Sequence, residues 1–248
     1  MGKMNERKLR KELASIGKRL AEEGLVHSNL GTISVVLDRA KGRFLTKPGP
    51  LEYVSMGPDD FVEIDTDGEP QEKGKSPPSL NWLVHRACYE TRPDINAVIH
   101  AHPDFVIAVI SQKNEKYAAF SLGSLAEPKI LNAIPLLSEE GVWLYKPTRL
   151  NTEGTVPIIP DLPPEGLAES ARAEILKGNA FAIRNHGIVA VGVTLREAFA
   201  LAVELEHQAK IFATILSTGG TPLFRTKTQI AREAQNMPPW FSRPFEPK

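Results

Sequence analysis

The chain has 248 residues, 42% of them hydrophobic, and Lys+Arg and Asp+Glu balance at 30 each, which suits one large globular domain with its own core and excludes the clustered positive face that nucleic-acid phosphates require. The single cysteine, Cys88, cannot close an intrachain disulfide, and the charged opening MGKMNERKLRKEL lacks the apolar stretch of a signal peptide, so the expectation is a cytoplasmic protein with a small-molecule partner. No apolar run approaches the roughly 20 residues needed to cross a bilayer, because Glu204, Glu206, His207 and Lys210 interrupt the most apolar stretch.

Leu9, Leu13, Ile16 and Leu20 recur at spacings of four and three, which predicts an amphipathic helix over Glu6 to Glu23 that stops at Gly24. Short β-like runs follow at Thr32 to Leu37, Arg43 to Thr46 and Phe61 to Ile64, separated by the turn-rich segments KPGPLEY and DTDGEP, and they read as an antiparallel meander. Ser79 to Thr91 has helical character and leads into INAVIH, whose unbroken apolar run suits a strand covered on both faces. Pro103 to Ser111 reads as a helix opened by proline, whereas Ser121 to Thr155 lacks clear periodicity. Leu162 to Lys177 is helical again and ends at Gly178; Ala180 to Gly192 reads as two strands pivoting on Asn185-His186-Gly187, a histidine on a tight turn. Thr194 as N-cap with Glu197 three residues on opens a long helix to about Ser217.

Successive side chains of a strand point to opposite faces, so His100 and His102 at its end project to the same side with Ala101 between them turned away. An imidazole pair on rigid backbone suits Zn, Mn, Fe, Co or Ni, and a third ligand from elsewhere would leave open positions for substrate.

RPDINAVIHAH (Arg92 to His102), followed much later by RNHGIVAVG (Arg184 to Gly192), resembles the two metal-binding stretches of the class II aldolase/adducin family. The likeness extends to Gly31-Thr32-Ile33-Ser34, to the TKPGP turn at Thr46 to Pro50, to the helix through His85 and to the long helix after Thr194. Residues 130 to 165 and the tail match poorly. The resemblance implies His186 as third ligand and one divalent metal ion per subunit, zinc foremost with Mn, Fe, Co or Ni as alternatives. It also implies a three-layer α/β/α fold around a central mixed, mainly antiparallel sheet over residues 1–225, followed by a C-terminal helix and Pro/aromatic tail at 226–248. A homo-oligomer, commonly a tetramer with active sites at subunit contacts, goes with it.

The chain departs from the sugar-phosphate aldolases of that family where their Pro-Ser-Ser-Glu segment supplies the general acid/base glutamate. Here the stretch is Pro78-Ser79-Leu80-Asn81, with His85 four residues beyond. An amide cannot exchange a proton at neutral pH, so Asn81 orients water or a carbonyl at most, while His85 on the same helical face is a candidate fourth ligand, supporting donor or proton carrier. The phosphate cradle is altered as well: Pro48 removes a backbone donor and Leu80 a hydroxyl, which weakens the case for a phosphorylated sugar and leaves room for a carboxylate. Thr32, Lys47, Gly49, Ser79 and Arg149 are the remaining substrate-binding candidates, Lys47 as a point charge in a turn; Tyr145 is a candidate for the missing acid. His27 lies near the anion loop and His207 in the long helix, neither with an assigned role.

The expected activity is carbon-carbon bond lysis of a small hydroxy- or keto-carbonyl compound through a metal-stabilised enolate. Retro-aldol cleavage needs a base for the hydroxyl proton and decarboxylation does not, so the absent glutamate favours decarboxylation. Alternatives are a non-haem Fe(II) oxygenase on three histidines and an adducin-like interaction module without chemistry.

Overall fold

The structure is a computed structural model that describes residues 3–71, 75–111, 133–134, 136–148, 150–151 and 155–241, the side chains of 3–5 and 133 excepted. Its first helix, α1 (Lys3–Glu22), is held by burial of Leu13, Ile16 and Leu20 along one face, the tertiary packing that stabilises most helices in proteins. The strands β1 (Thr32–Asp38), β2 (Arg43–Thr46) and β3 (Val62–Ile64) pair antiparallel with their sequence neighbours as the expected meander. Helix α2 (Trp82–Thr91) leads to β4 (Ala97–Ala101), every residue of which is buried.

The chain then forms α3 (Asp104–Ile110), β5 (Ala133–Ile134), α4 (Glu139–Tyr145), β6 (Val156–Ile159) and α5 (Pro164–Glu174). It continues as the hairpin β7 (Ala180–Ile183) and β8 (Gly187–Gly192), then α6 (Leu195–Ser217) and α7 (Lys227–Gln235). The Thr194 hydroxyl accepts from Glu197 N at the start of α6, the cap read from the sequence. Two elements, β5 and α4, lie in the stretch that showed no periodicity. Helix α4 is only 7 residues long, too short to display a helical repeat, and its start is fixed by the Ser138 hydroxyl accepting from Gly141 N at 2.9 Å.

Among the described residues the sheet has 8 strands in the order β3-β2-β1-β4-β8-β7-β6-β5. Every neighbouring pair is antiparallel except β6 and β7, which run parallel. Alternation along the central strands divides the core in two. Ile33, Val35, Ala97, Ile99 and Ala101 pack with Leu13 and Leu20 of α1 and with Leu201 and Leu205 of α6. On the other face Val98, Val189 and Val191 pack with Ala87 and Cys88 of α2 and with Leu167 and Ala171 of α5. Helices on both faces of a mixed, mainly antiparallel sheet give the three-layer α/β/α arrangement expected from the resemblance. Ile230 of α7 is buried in the same core as α6.

The α2 face is not apolar throughout. Thr32 stands opposite His100 and Ser34 opposite Val98 in the β1–β4 register, so one end of that face presents hydroxyls and an imidazole where the alternation would otherwise place Val or Ile. That end holds the candidate site.

Candidate metal centre

The β7–β8 turn shows why the local sequence is Asn-His-Gly. Asn185 adopts a left-handed backbone with φ 58, a conformation asparagine tolerates better than most residues, and His186 N donates to Ile183 O at 3.1 Å, closing the turn. At Gly187 an added Cβ would lie 2.2 Å from the Ala101 carbonyl oxygen and 2.9 Å from Cδ2 of His102. Asparagine bends the chain, glycine lets β8 approach β4, and the histidine between them is delivered to the end of β4.

His100, His102 and His186 converge there. Their ring centroids are 4.7 to 5.0 Å apart, and each offers a nitrogen such that all three lie within 4.8 Å of one another. The Nε2 atoms of His100 and His102 are 2.9 Å apart. Nδ1 of His100 donates to the Ile188 carbonyl at 3.0 Å, and Nδ1 of His186 donates to Oδ1 of Asp161 at 3.1 Å. Both contacts place the proton on Nδ1 and leave Nε2 as a bare lone pair pointing inward, which is how metal-bound imidazoles are held. Converging lone pairs repel one another unless a cation lies between them, so the donor set fits a divalent metal ion.

Burial keeps His100, His102 and the neighbouring His85 neutral. Desolvation, reinforced by the charges of His102 and His186, pushes His100 well below the usual histidine range, and desolvation followed by His186 and His27 lowers His102 to about 4. His85, fully enclosed in α2, is lowered by burial to about 3. The linkage has a definite sign. Above about pH 6.5 neither folded nor unfolded chain protonates these rings; below it the unfolded chain takes up protons that the folded one refuses, so stability falls with pH by about 1.4 kcal/mol per unit for each fully refused proton. Urea denaturation of the metal-free protein at about pH 7, 6 and 5 should show a steadily falling midpoint. An unchanged midpoint would rule out neutral buried imidazoles.

Around the triad the other expected site residues are distributed unevenly. Thr32 and Ser79 are at the site: Oγ1 of Thr32, opposite His100 in register, donates to Oγ of Ser79 at 2.7 Å. Gly49 belongs to a turn bridged to Pro78, and its N–H donates to the Pro77 carbonyl at 3.0 Å. Asn81 immediately precedes α2 and makes no side-chain capping bond. Nδ1 of His85 bonds to the Ser34 hydroxyl at 2.6 Å, which in turn meets the Tyr89 hydroxyl at 2.7 Å, while Nε2 of His85 is buried with no partner among the described residues. His85 also lies close enough to His100 for its charge to lower that residue's pKa.

Lys47 is a correction. It is neither a solvated turn lysine nor a free point charge: it is fully buried, and its ammonium donates to the carbonyls of Asn29, Pro48 and Gly49 at 2.8, 3.0 and 3.2 Å. Three carbonyls use all three N–H donors of an ammonium, and burial lowers its pKa to about 8. Tyr145 is not brought to the histidines. It is buried in α4, its ring fills the space beside Gly178, and its hydroxyl accepts from Nδ2 of Asn151 at 2.7 Å; Asn179 N donates to its carbonyl, which places it at the start of β7, whereas His186 follows the end of that strand. Arg149 lies outside the described residues. His27 sits near His102 and pairs with Asp104 at 3.2 Å, and His207 is exposed on α6.

Two acidic residues that the sequence did not single out support the centre. Asp161 orients His186, and Glu206 of α6 accepts from both Phe105 N and Val106 N at 2.9 Å, capping α3 directly after the His102 segment. No spacing rule marks either residue, because each acts across elements distant in sequence. Asp161→Asn should weaken metal affinity by about 10- to 100-fold, the usual range for losing such a partner, measured by chelator competition; unchanged affinity would reduce the contact to a surface hydrogen bond.

With this geometry established, comparison with known proteins places the chain. Residues 11–213 match the model of the Class II Aldolase and Adducin N-terminal domain. The chain is 31% identical over 209 residues to the 5-methylthioribulose-1-phosphate/5-deoxyribulose-1-phosphate aldolase of Escherichia coli, covering 84% of this chain and 85% of that protein. It is 25% identical over 205 residues to the 3-oxo-tetronate 4-phosphate decarboxylase of Haemophilus influenzae, covering 82% and 86% respectively. Among solved structures, the L-fuculose-1-phosphate aldolase of Thermus thermophilus superposes with a TM-score of 0.67 at 24% identity, over 87% of this chain and all of that one, a likeness of fold. With the family model spanning most of its length and the three histidines converging, this chain belongs to the class II aldolase and adducin N-terminal domain family.

Proposed function

We propose that the protein is a divalent-metal-dependent carbon-carbon lyase that acts on a small hydroxy- or keto-carbonyl compound, with decarboxylation favoured over aldol cleavage. The observation that carries the reading is the convergence of one ring nitrogen from each of three histidines within 4.8 Å of one another, with the tautomers of His100 and His186 fixed by Ile188 and Asp161. His100, His102 and His186 would hold the ion, zinc foremost, with Mn, Fe, Co or Ni as alternatives. When bound, the metal supplies an electrophile for a substrate oxygen and offsets the negative charge that develops as the adjacent C–C bond breaks.

The chain's own residues favour one of the two lyase reactions. Retro-aldol cleavage requires a base for the substrate hydroxyl proton; decarboxylation releases carbon dioxide, the bonding electrons pass towards the carbonyl, and a proton from water replaces the lost carboxyl at carbon. Asn81 cannot act as that base, and Thr32 and Ser79 are hydroxyls suited to orienting substrate rather than to removing protons at neutral pH. The relatives' names include both aldolases and a decarboxylase, so either outcome lies within the family. The same reading makes the protein a cytoplasmic homo-oligomer, a tetramer by family likeness.

The test is a substrate screen on metal-free protein reloaded separately with Zn, Mn, Co or Fe(II), with carbon dioxide and aldehyde assayed independently. Carbon dioxide from a hydroxy- or keto-acid supports the reading. Aldehyde from a sugar phosphate without carbon dioxide would overturn the preference for decarboxylation. Substrate-dependent oxygen uptake with Fe(II) would replace the lyase by an oxygenase, which three histidines without a carboxylate ligand can also support.

A further inference from the structure

We infer that the protein has a second small-molecule site, remote from the histidines, that takes an organic monoanion with a flat apolar body, in its simplest form an aromatic carboxylate. The inference does not depend on which reaction the metal centre performs.

The layer between α2 and the sheet ends differently at its two ends. At Thr32 it meets the metal centre, with Ser79 and His100 beside it. Val36 lies four residues further along β1, and Tyr89 eight residues beyond Asn81 on α2, a displacement of about 12–13 Å at the rise of a strand or a helix. There the packing stops short and leaves an open-sided cavity of about 340 Å³, within the size range of small-ligand pockets. Its floor is apolar: Val36 from β1, Phe44 from β2, Tyr89 from α2 and Pro93 just after α2. The Phe44 and Tyr89 rings stand 5.6 Å apart and tilted by 58°. A flat apolar body laid on this floor would remove both its own surface and that of the floor from water. The floor is also preformed. The Tyr89 hydroxyl is held by Ser34 at 2.7 Å and its carbonyl by Arg39 at 2.8 Å, so little ordering remains to be done on binding.

Three guanidinium groups form the walls, and they are not equivalent. Arg43 is paired with Glu63. Arg86 lies over the Trp82 ring, donates to Thr66 O and shares Glu90 with Arg172. Arg39 instead donates to the carbonyls of Tyr89 and Ile95, with Oδ1 of Asn96 3.5 Å away. Carbonyls accept hydrogens without neutralising the charge, and a guanidinium has five N–H groups to place. Asp38, the carboxylate next to Arg39 in sequence, faces Lys41 at 3.8 Å. Among the described residues Arg39 is thus the guanidinium of the three that has no carboxylate partner, and it keeps N–H groups beyond those the carbonyls use. A guanidinium in that state takes a carboxylate through charge-assisted hydrogen bonds. One uncompensated cation beside an apolar floor matches one negative charge on an apolar body, and Glu90 in the same wall disfavours a second.

Zinc-loaded protein is titrated with 2-naphthoate and with its neutral counterpart 2-naphthalenemethanol, and binding is followed in nitrogen–proton correlation spectra. The acid should bind with a Kd below about 1 mM and shift the amides of Val36, Arg39 and Phe44. It should bind at least about tenfold more tightly than the alcohol, the worth of a hydrogen bond to a charged group. Arg39→Gln should cut that preference to less than about threefold, and Val36→Phe, which fills the cavity and removes no bond made by Arg39, should weaken both probes at least about tenfold. Arg39 is exposed, so its variant decides the matter alone should Val36→Phe fail to fold. Shifts confined to the surroundings of His100 and His186 would place the acid on the metal and overturn the inference. A preference unchanged by Arg39→Gln, or no saturable binding of the acid up to about 5 mM, would overturn it equally.

Discussion

His186→Ala should reduce bound divalent metal from about one equivalent per chain to below about a tenth after dialysis, and lower activity by more than about 10³-fold, because two imidazoles cannot complete a catalytic three-ligand site. Metal is measured by plasma mass spectrometry and activity with the best acid from the substrate screen. His186 is the most informative of the three, because it sits on a turn and is partly exposed, so its truncation leaves the core intact. His102→Ala should behave similarly. His100 is enclosed, and its alanine variant combines metal loss with a cavity on the α2 face of β4. Retention of a full equivalent of metal in all three single variants would overturn the assignment of the centre.

The second large effect concerns the residue before α2. Asn81→Glu places a titratable carboxylate at the position that, by the resemblance to the Pro-Ser-Ser-Glu segment, corresponds to the glutamate, and should increase aldehyde release from a β-hydroxy-carbonyl substrate by about 10²-fold, the lower end of what one positioned base contributes. Carbon dioxide release should fall, since a carboxylate near the ion reduces the positive charge that assists decarboxylation. The substitution is locally tolerable: Asn81 makes no capping bond, and an acidic residue before a helix is favoured by the helix dipole. If aldehyde formation does not change, Asn81 is not the reason that the aldol route is closed.

Most elements of the sheet were legible because their signals are local. The four-and-three spacing of Leu9, Leu13, Ile16 and Leu20, the Thr194–Glu197 cap and the unbroken INAVIH run each specify one element without help from the rest of the chain. The His-x-His pair was legible for the same reason, since alternation alone puts His100 and His102 on one face. What escaped was non-local. The partners that fix tautomers, Ile188 O for His100 and Asp161 for His186, come from other strands and loops. Lys47 looked like a turn lysine because KPGP is a surface signature; its burial depends on Asn29 and on the adjacent Pro77-Pro78 segment closing over it. Tyr145 looked available because nothing in its neighbourhood of sequence predicts that Gly178 and Asn151 will enclose it.

The pairing of β4 with β8 has a further consequence for how the ion and the fold depend on each other. A metal that bridges residues far apart in sequence can stabilise a protein by closing a long loop. Here the backbone ladder from Ala97–Gly192 to Ala101–Ile188 already joins those two regions next to the histidines, so loop closure is complete before any ion arrives. The ion therefore relieves crowding of lone pairs and contributes little cross-linking entropy. Stripping it with a chelator should leave the far-ultraviolet circular dichroism unchanged, and one metal should replace another without passing through an unfolded chain, unlike a zinc finger, whose apo form does not fold. Hydrogen exchange of the metal-free protein would show this directly: added protection on reloading should be confined to the Arg184–Gly187 turn and the end of β4, and a global change would mean that the ion is part of the scaffold.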